Sequence, residues 1–330
     1  MLKRIAIFCG GPSSEYEVSL SSASTMYKYI DKNKYELYFF FISKNRNCKL
    51  LIASDNVDLN KIKTSTPLIE GLEDLKKKKI FAFLAGIHGE FAEDGRLQGL
   101  LEFFGIPYSG SGVTASSLAM DKYRSALLVK TLDGVLLPKT FLLSENYELP
   151  KSLKLPVILK PNAMGSSVGV TIAKTLADYK KQVNEFRKKY PDQEIIVQKY
   201  FENSIEIQSG VLQKKNGKFL PVPPIEIRPM KNVFFDYDSK YKVGGATEIT
   251  PPIGIPKSVS NKIAQISNSL HKLLGLKTYS RNDFLVVKGK IYFLEANTLP
   301  GMTATSLLPQ EANAIGISFP KLLDFLIENS

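Results

Sequence analysis

Several residue types are scarce in this 330-residue chain, and each scarcity argues against a class of protein. The only two cysteines, Cys9 and Cys48, fit neither a disulfide framework nor a cysteine-based zinc site. Two histidines, His88 and His271, are too few for a metal site built from several imidazoles. No apolar run approaches the roughly 18 residues needed to span a membrane, and no signal peptide is evident. We therefore expect a soluble, cytoplasmic protein.

The charge balance limits the possible partners. The chain is 44% hydrophobic and 23% charged, with a formal net charge of +12. Its lysines are scattered and no basic-aromatic RNA motif occurs, so a nucleic-acid partner is not expected. An anionic small substrate such as ATP explains the basic bias equally well, and so does a solvated lysine-rich surface without a function.

An acidic hairpin near the end of the chain is the most informative stretch. Two runs rich in Phe, Val, Ile, Tyr and Leu flank Lys288-Gly289-Lys290 and predict two strands joined by a short loop. Glu295 and Asn297 lie two residues apart on the second strand, so they point to one face. Carboxylate and amide oxygens suit a hard ion such as Mg²⁺. An ordinary solvated face carrying acids is the alternative.

Whether Asp283 joins these two residues depends on the loop. A regular two-residue loop pairs Val287 with Lys290 and places Asp283 opposite Leu294, on the wrong face. A three-residue loop, or an equivalent bulge, places Asp283 opposite Glu295 instead. We predict the second arrangement, because it gathers the three oxygen-bearing side chains.

The N-terminal part resembles a parallel α/β unit. A strand from Lys3 to Cys9 leads through Gly10-Gly11 into a helix beginning near Glu15, with Ser14 and Glu17 fitting a capping box. Such a turn is a common small-ligand site at the carboxyl edge of a sheet. Glu15 lies at its mouth, although a first-turn acid that complements the helix dipole is the simpler interpretation.

The rest of the chain predicts two further units. Strands 155–161 and 169–173 are joined by a small glycine-bearing loop that could close over phosphates, with Lys160 supplying a charge. A plain surface hairpin is the alternative. A long aromatic segment, 233–250, is typical of a lid. We expect a helix carrying Met120-Asp121-Lys122, and domains at 1–108, 109–190 and 191–330.

Seven motifs along nearly the whole chain resemble the D-alanine–D-alanine ligases, which are ATP-grasp enzymes. They are GGPSSEYEVSLSSA, HGEFAEDGRLQGLLE, GIPYSGSG with MDK, LPVILKPNAMGSSVGV, FFDYDSKY, SRNDF and LEANTLPGMTATS. The resemblance implies an α/β ATP-grasp fold with a Rossmann-like N-terminal (pre-ATP-grasp) domain. It also implies ATP-dependent ligation of two D-alanines through an acyl phosphate, for peptidoglycan precursors, by a homodimer.

The resemblance further implies roles for individual residues. The catalytic group would comprise Glu15, Ser166, Tyr241, Arg281 and Gly301. Glu15 would orient the first D-alanine, and the amino-acid substrates would also contact His88, Arg281, Gly301, Ser306 and Leu307. ATP would contact Lys122, Lys160, Ser166, Ser167, Gln198, Lys199, Phe201, Glu206 and Lys240. Two Mg²⁺ ions, replaceable by Mn²⁺, would bind Asp283, Glu295 and Asn297.

Three positions depart from the family pattern. Gln198 stands where the family usually has an acidic residue facing the adenine amino group, so a charged acceptor is lost although a carbonyl oxygen remains. Ala92 replaces a glycine, and Phe235 replaces a lid tyrosine of some relatives. None of these changes removes a catalytic group.

The resemblance also implies that Tyr241 sets the choice of acceptor, because a lid tyrosine accompanies dipeptide formation in similar ligases and is lacking in those that make the D-alanyl-D-lactate ester. A neutral phenol does not repel the arriving ammonium ion of D-alanine, whereas a lysine at this position would. Two unit charges about 4 Å apart interact by roughly 4 kcal/mol at an effective dielectric of 20. Tyr241→Lys should therefore lower dipeptide synthesis and admit D-lactate, most visibly at lower pH. Mass spectrometry of products from equimolar D-alanine and D-lactate measures this. An unchanged peptide-to-ester ratio in the variant would contradict it.

Overall fold

The computed structural model describes residues 2–143, 147–165, 168–229 and 246–330. The strands are β1 (Lys3–Gly10), β2 (Tyr35–Ile42), β3 (Asn47–Ile52), β4 (Thr66–Pro67), β5 (Phe81–Phe83), β6 (Thr140–Leu142), β7 (Val157–Pro161), β8 (Thr171–Ala173), β9 (Ile195–Lys199), β10 (Ile205–Leu212), β11 (Ile225–Pro229), β12 (Ala246–Ile249), β13 (Tyr279–Val287) and β14 (Lys290–Asn297). The helices are α1 (Tyr16–Tyr29), α2 (Leu68–Lys77), α3 (Arg96–Phe104), α4 (Val113–Met120), α5 (Lys122–Val129), α6 (Leu176–Lys189), α7 (Lys257–Leu273), α8 (Leu307–Asn313) and α9 (Phe319–Glu328).

The first sheet has the strand order β4-β3-β2-β1-β5, with β1 parallel to both of its neighbours. Strand β1 is buried from Ile5 to Gly10, as a continuous apolar strand covered on both faces should be. The core of this sheet also includes Leu322 and Leu326 of α9, so the end of the described chain packs on its beginning. The parallel α/β unit predicted for the N-terminal part is confirmed.

The second sheet has the order β6-β9-β7-β8, and all of its pairings are antiparallel. Helix α6 covers one face, where Tyr179, Val183 and Phe186 pack into the core of the sheet. The helix starts at a capping box, in which Thr175 and Asp178 each accept a hydrogen bond from the backbone of the other. Both strands predicted around the glycine-bearing loop are present, each starting two residues later than expected.

The third sheet has the order β12-β11-β10-β13-β14. Its apolar face packs against α7, and Ala115 and Ala119 of α4 join the same core. His271 of α7 is buried, and its Nδ1 lies 2.8 Å from Ser280 Oγ. This histidine is therefore a packing residue.

A β-bulge in the acidic hairpin decides where its carboxylates point. The turn has only two residues, Lys288 and Gly289, with φ angles of 49° and 73°, and Val287 pairs with Lys290. The three-residue loop is therefore wrong. The register shifts between Asp283 and Phe284, however, so that Phe284 pairs with Phe293 and Asp283 with Glu295. The predicted equivalent bulge is confirmed, with Leu294 as the extra residue.

The bulge has a simple physical cause. Phe293 and Ala296 are both buried in the core although they are three residues apart, which a strand with strict alternation does not allow. Inserting Leu294 between them lets both face the core and leaves Glu295 on the opposite face.

Three local predictions need correction. Helix α1 begins at Tyr16 with Glu15 at its N-cap and no side-chain cap, so the capping box is wrong. Instead, the Ser13 hydroxyl accepts from the Glu15 N–H at 3.2 Å and donates to the His88 carbonyl at 2.8 Å.

The other two corrections concern a helix and a loop. Asp121 is extended and separates α4 from α5, so Met120 and Lys122 do not share one helix. The segment 233–250, predicted to be irregular, ends in β12, which pairs with β11, while residues 233–245 lie outside the described residues.

Two further observations concern the cysteines and the helices. Both cysteines are free and buried. None of the helices within the described ranges is long and apolar enough to cross a membrane.

Deletions in β14 test the role of the bulge. Deleting Leu294 should leave Asp283 opposite Glu295, because a regular two-residue hairpin then produces that pairing directly. Deleting Ala296 should turn Asn297 into the apolar core, where an unpaired amide costs about 1–3 kcal/mol. Urea unfolding measures both changes in free energy. If the Leu294 deletion were as destabilising as the Ala296 deletion, the prediction would be wrong and the bulge itself would be required for stability.

Candidate active site

One face of the third sheet carries the acidic residues. Asp283 of β13 lies directly across from Glu295 of β14, and Arg281 lies across from Asn297. Strand β10 adds Glu206, which pairs with Leu285 and so lies on the same face. The structure therefore brings together the three predicted metal ligands, the predicted oxyanion arginine and the predicted ribose residue.

Two cations neutralise these carboxylates. Arg281 donates from Nε to Asp283 Oδ1 at 2.9 Å and from Nη2 to Oδ2 at 3.1 Å. Lys122 Nζ lies 3.3 Å from Glu295 Oε2 and also donates to the Met164 carbonyl at 2.5 Å. Because Asp283 is only 3% exposed, removing Arg281 would leave a buried carboxylate without its cation.

The donor set fits a hard divalent cation. Within the described ranges there is no group of three or more His, Cys, Asp and Glu residues able to hold a metal. Two opposed carboxylates and the amide of Asn297 instead form an all-oxygen set, which is what Mg²⁺ prefers. Asn297 Oδ1 accepts from the Leu299 N–H at 2.9 Å, which orients its amide.

A cavity of about 70 Å³ lies beside this face. The predicted site residues that line it are Glu15, His88, Lys122, Arg281, Glu295, Asn297 and Gly301. Gly165 of the loop after β7 also lines it, and a Cβ added there would lie 2.5 Å from Glu15 Oε1. The glycine therefore lets the loop backbone approach the buried Glu15 carboxylate closely.

His88 forms part of the cavity wall. Its Nδ1 lies 3.0 Å from the Leu299 carbonyl, which can only accept, so Nδ1 carries the proton. Its Nε2 then accepts from the Ser22 hydroxyl at 3.0 Å. Burial lowers the pKa of His88 to about 4, so the ring is neutral near pH 7. His88 thus ties the Leu299 segment to α1.

Glu93 is a cavity residue that the sequence prediction missed. It accepts from the Gly89 N–H at 2.9 Å and lines the same cavity. Burial, followed by the nearby negative charge of Glu15, raises the pKa of Glu93 well above its usual range, while Arg281 and Lys122 oppose the shift. Its position in the HGEFAEDG motif was the signal that could have identified it.

A tight turn precedes α8. The Ser306 hydroxyl accepts from the Thr303 N–H at 3.0 Å, and a Cβ added to Gly301 would lie 3.2 Å from Ser306 Oγ. Leu307 opens the helix and packs against Ile225 and Ile227. The three predicted residues of this turn are therefore close together.

The second sheet presents a different kind of face, on the side away from α6. Ile158 pairs with Gln198 and Lys160 with Ile196, so these four side chains share a face outside the α6 core. Lys160, Ile196 and Gln198 are buried. Ile158 and Ile196 form an apolar platform on this face, with Lys160 toward one end and Gln198 toward the other. Such a surface suits a ligand that has a flat part and an anionic part.

Aromatic residues connect this sheet to the acidic hairpin. The Phe201 ring lies 4.6 Å from the Tyr292 ring, and Lys199 Nζ lies 5.0 Å from the centroid of Phe201. Both predicted residues are thus placed at the junction between the second and third sheets. Ser166, Ser167, Phe235, Lys240 and Tyr241 lie outside the described residues.

Comparisons with known proteins agree with this architecture. A family model described as the D-ala D-ala ligase N-terminus matches residues 4–111, and one described as the D-ala D-ala ligase C-terminus matches residues 137–328. A D-alanine–D-alanine ligase of Leptospira biflexa is 37% identical, with 99% of this chain and 98% of that protein covered. The chain belongs to the D-alanine–D-alanine ligase family.

Solved structures of ligases in this family match its fold. The D-alanine–D-alanine ligase of Bacillus anthracis complexed with ATP aligns with a TM-score of 0.75 at 31% identity, covering 99% of this chain and 97% of that one. The VanG D-Ala:D-Ser ligase of Enterococcus faecalis aligns with a TM-score of 0.79 at 29% identity, covering 99% of both chains. The ATP-grasp fold predicted from the motifs is confirmed.

This ligase-family chain also buries an acid that was not predicted. Glu311 of α8 is fully buried and its Oε1 accepts from the Gly210 N–H at 2.8 Å, while Oε2 has no partner among the described residues. A Cβ on Gly210 would lie 2.4 Å from Oε2, so only glycine fits there. The spacing of Glu311 from the buried Leu308 was the available signal.

Glu311 should make stability fall as pH rises. Burial raises its pKa from 4.5 to about 8, with Gly210 and Arg281 opposing the shift and Asp283 adding to it. The folded state therefore holds a proton that the unfolded chain releases above pH 4.5. Glu311→Gln cannot release this proton. The free energy of unfolding of the variant, minus that of the parent, should therefore increase by up to about 1.4 kcal/mol per pH unit between pH 4.5 and 8.

Urea unfolding from pH 4 to 9, in EDTA to exclude divalent cations, measures this difference. The exposed acid Glu202 gives a matched control, because Glu202→Gln changes a carboxylate that stays in water. A Glu311→Gln difference that is constant with pH would show that Glu311 is ionised in the folded state.

Proposed function

We propose that the protein is a D-alanine–D-alanine ligase (EC 6.3.2.4). It joins two D-alanines through an acyl phosphate at the expense of ATP and supplies the dipeptide for peptidoglycan precursors. The observation that carries the proposal is the convergence of Glu15, Lys122, Arg281 and Glu295 on one cavity. Relatives named D-alanine–D-alanine ligases match this chain over 97–99% of its length, which supports the assignment.

The first step needs charge neutralisation, because a carboxylate attacks a triphosphate. Lys122 and Lys160 bind the ATP phosphates and Gln198, Lys199, Phe201 and Glu206 bind adenosine. Lys122 is well placed, since it already contacts both the glycine-bearing loop and Glu295. Asp283, Glu295 and Asn297 would hold two Mg²⁺ ions, replaceable by Mn²⁺, which would supply positive charge beside the phosphates.

The second step is attack of the deprotonated amine of the second D-alanine on the acyl phosphate, which forms the peptide bond and releases inorganic phosphate. Glu15 orients the first D-alanine through its ammonium group, with His88 holding the cavity wall. Arg281 and the Gly301 N–H bind the developing oxyanion, and the turn at Ser306 and Leu307 binds the carboxylate of the second D-alanine. Arg281 and Gly301 both line the cavity, which supports this assignment.

The loop residues complete the site in this proposal. By the family resemblance, Ser166 would act with Glu15 and Tyr241, Ser167 would close over the phosphates, and Lys240 would contact the γ-phosphate. The support lies in the adjacent residue: Gly165 approaches Glu15 so closely that a Cβ there would lie 2.5 Å from the carboxylate. Exclusion of water protects the acyl phosphate from hydrolysis.

The proposal extends to organisation and location. The chain divides into domains 1–108, 109–190 and 191–330 and acts as a homodimer. It works in the cytoplasm, where ATP is available and the two buried thiols stay reduced. D-Alanine and ATP are its small-molecule partners.

Release of ADP and phosphate from ATP should require both Mg²⁺ and D-alanine, because the D-alanine carboxylate is the phosphoryl acceptor. A coupled assay with D-alanine, L-alanine and D-serine, together with mass spectrometry of products, checks this. Activity with L-alanine equal to that with D-alanine would refute the proposal. D-Alanyl-D-serine as the main product would instead indicate a D-Ala:D-Ser ligase, the activity for which the VanG ligase is named.

An oxyanion variant serves as the control for background hydrolysis. Arg281→Ala should lower kcat by about 10²- to 10³-fold, the usual effect of removing one oxyanion donor. ADP release that Arg281→Ala leaves undiminished does not come from the proposed site.

A further inference from the structure

The amide of Gln198 is held by a short hydrogen-bond relay. Its Nε2 donates to Thr140 Oγ1 at 2.8 Å, and Thr140 Oγ1 donates to the Pro138 carbonyl at 2.8 Å. Thr140 and Gln198 are direct cross-strand partners on β6 and β9. The relay therefore lies within the sheet and connects Gln198 to a fixed backbone group.

The end of the relay determines its polarity. A backbone carbonyl can only accept, so the single hydroxyl proton of Thr140 is committed to Pro138. Toward Gln198 the hydroxyl oxygen can then only accept, and the glutamine must present its NH₂ group. The carbonyl Oε1 is consequently turned away from Thr140 and remains as the acceptor of the side chain.

This polarity matters because an amide, unlike a carboxylate, has no fixed hydrogen-bonding character. A carboxylate accepts through either oxygen, whereas a glutamine can rotate by 180° and exchange its acceptor for a donor. Gln198 is only 5% exposed, so a wrongly turned amide would present a buried donor to any ligand on this face.

The neighbours of Gln198 indicate which ligand group it meets. It shares the platform with Ile158 and Ile196, and Lys160 lies one diagonal step further along the strands. A flat base against the isoleucines with its phosphates toward Lys160 would bring a ring edge to Gln198. An acceptor there pairs with the 6-amino group of adenine and opposes the 6-oxo group of hypoxanthine or guanine.

We propose that Thr140 is a specificity-determining positioning residue, which fixes Gln198 as an acceptor and so selects 6-amino over 6-oxo purine nucleotides. The inference rests on the proposed use of ATP in this cleft. It assigns to Thr140, acting through Gln198, the function that a carboxylate would perform unaided at position 198.

Direct binding of ADP and IDP tests the proposal, since these nucleotides differ only at purine positions 6 and 1. Isothermal titration calorimetry should give the parent protein a roughly ten- to hundredfold preference for ADP. Thr140→Val removes the hydroxyl at nearly constant volume and should reduce that preference by about three- to tenfold. Thr140→Ser keeps the hydroxyl and should restore it. A purely structural role would instead weaken both nucleotides equally.

A double-mutant cycle isolates the orientation effect. Gln198→Glu supplies an acceptor that needs no orientation, so adding Thr140→Val to it should leave the ADP-to-IDP ratio unchanged. An unchanged ratio in the single Thr140→Val variant, or an equal loss in both backgrounds, would overturn the inference.

The test also separates this inference from the proposed function. If the parent binds neither nucleotide and shows no ATP-dependent ligation, the proposed function itself fails. If the parent binds ADP and ligates D-alanine, but Thr140→Val leaves the ADP-to-IDP preference unchanged, only the role of Thr140 is refuted. Thermal melting of each variant confirms that it is folded.

Discussion

Neutralisation of two adjacent carboxylates is the constraint on which the site depends. Asp283 and Glu295 oppose each other across a strand pair whose other face is an apolar core. Like charges in that position destabilise a sheet unless cations compensate them. Arg281 compensates one from its own strand, and Lys122 compensates the other from α5. Through Lys122, this charge also connects α5 and the loop at Met164 to the acidic hairpin.

Close backbone approaches hold the elements in register around these charges. Gly165 admits the loop after β7 to the Glu15 carboxylate, and Gly210 admits Glu311 of α8 to β10. A Cβ at either position would lie about an ångström inside contact distance, 2.5 Å and 2.4 Å from a carboxylate oxygen. Both glycines therefore allow close backbone packing against buried acids.

Much of the fold was predictable because its signals are local. Continuous apolar strands such as β1 and β2, and the motifs of the ligase family, identify the α/β architecture directly. The bulge at Leu294 was predictable only as one of two alternatives, because turn length and core packing compete and the sequence does not show which one yields. The capping box of α1 was mispredicted because Ser13, which bonds to the Glu15 N–H and the His88 carbonyl, replaces the expected local cap.

The unpredicted part of the site consists of groups defined by distant partners. Glu93 and Glu311 are ordinary acids in the sequence, and their raised pKa values come from burial together with charges far along the chain. Gln198 looked like a weakened adenine contact when taken alone. Only the pairing of β6 with β9 shows that Thr140 orients it, and that pairing is a non-local property.

The Arg281–Asp283 pair links the two halves of the proposed chemistry. The guanidinium occupies both oxygens of Asp283, with contacts of 2.9 and 3.1 Å. A divalent cation that binds Asp283 competes for those same oxygens, and the arginine that it displaces becomes available to an oxyanion in the same cavity. Because such coupling is reciprocal, a substrate anion that attracts Arg281 must also strengthen cation binding at Asp283. If Asp283 binds a divalent cation as proposed, this buried ion pair would couple metal binding to substrate binding.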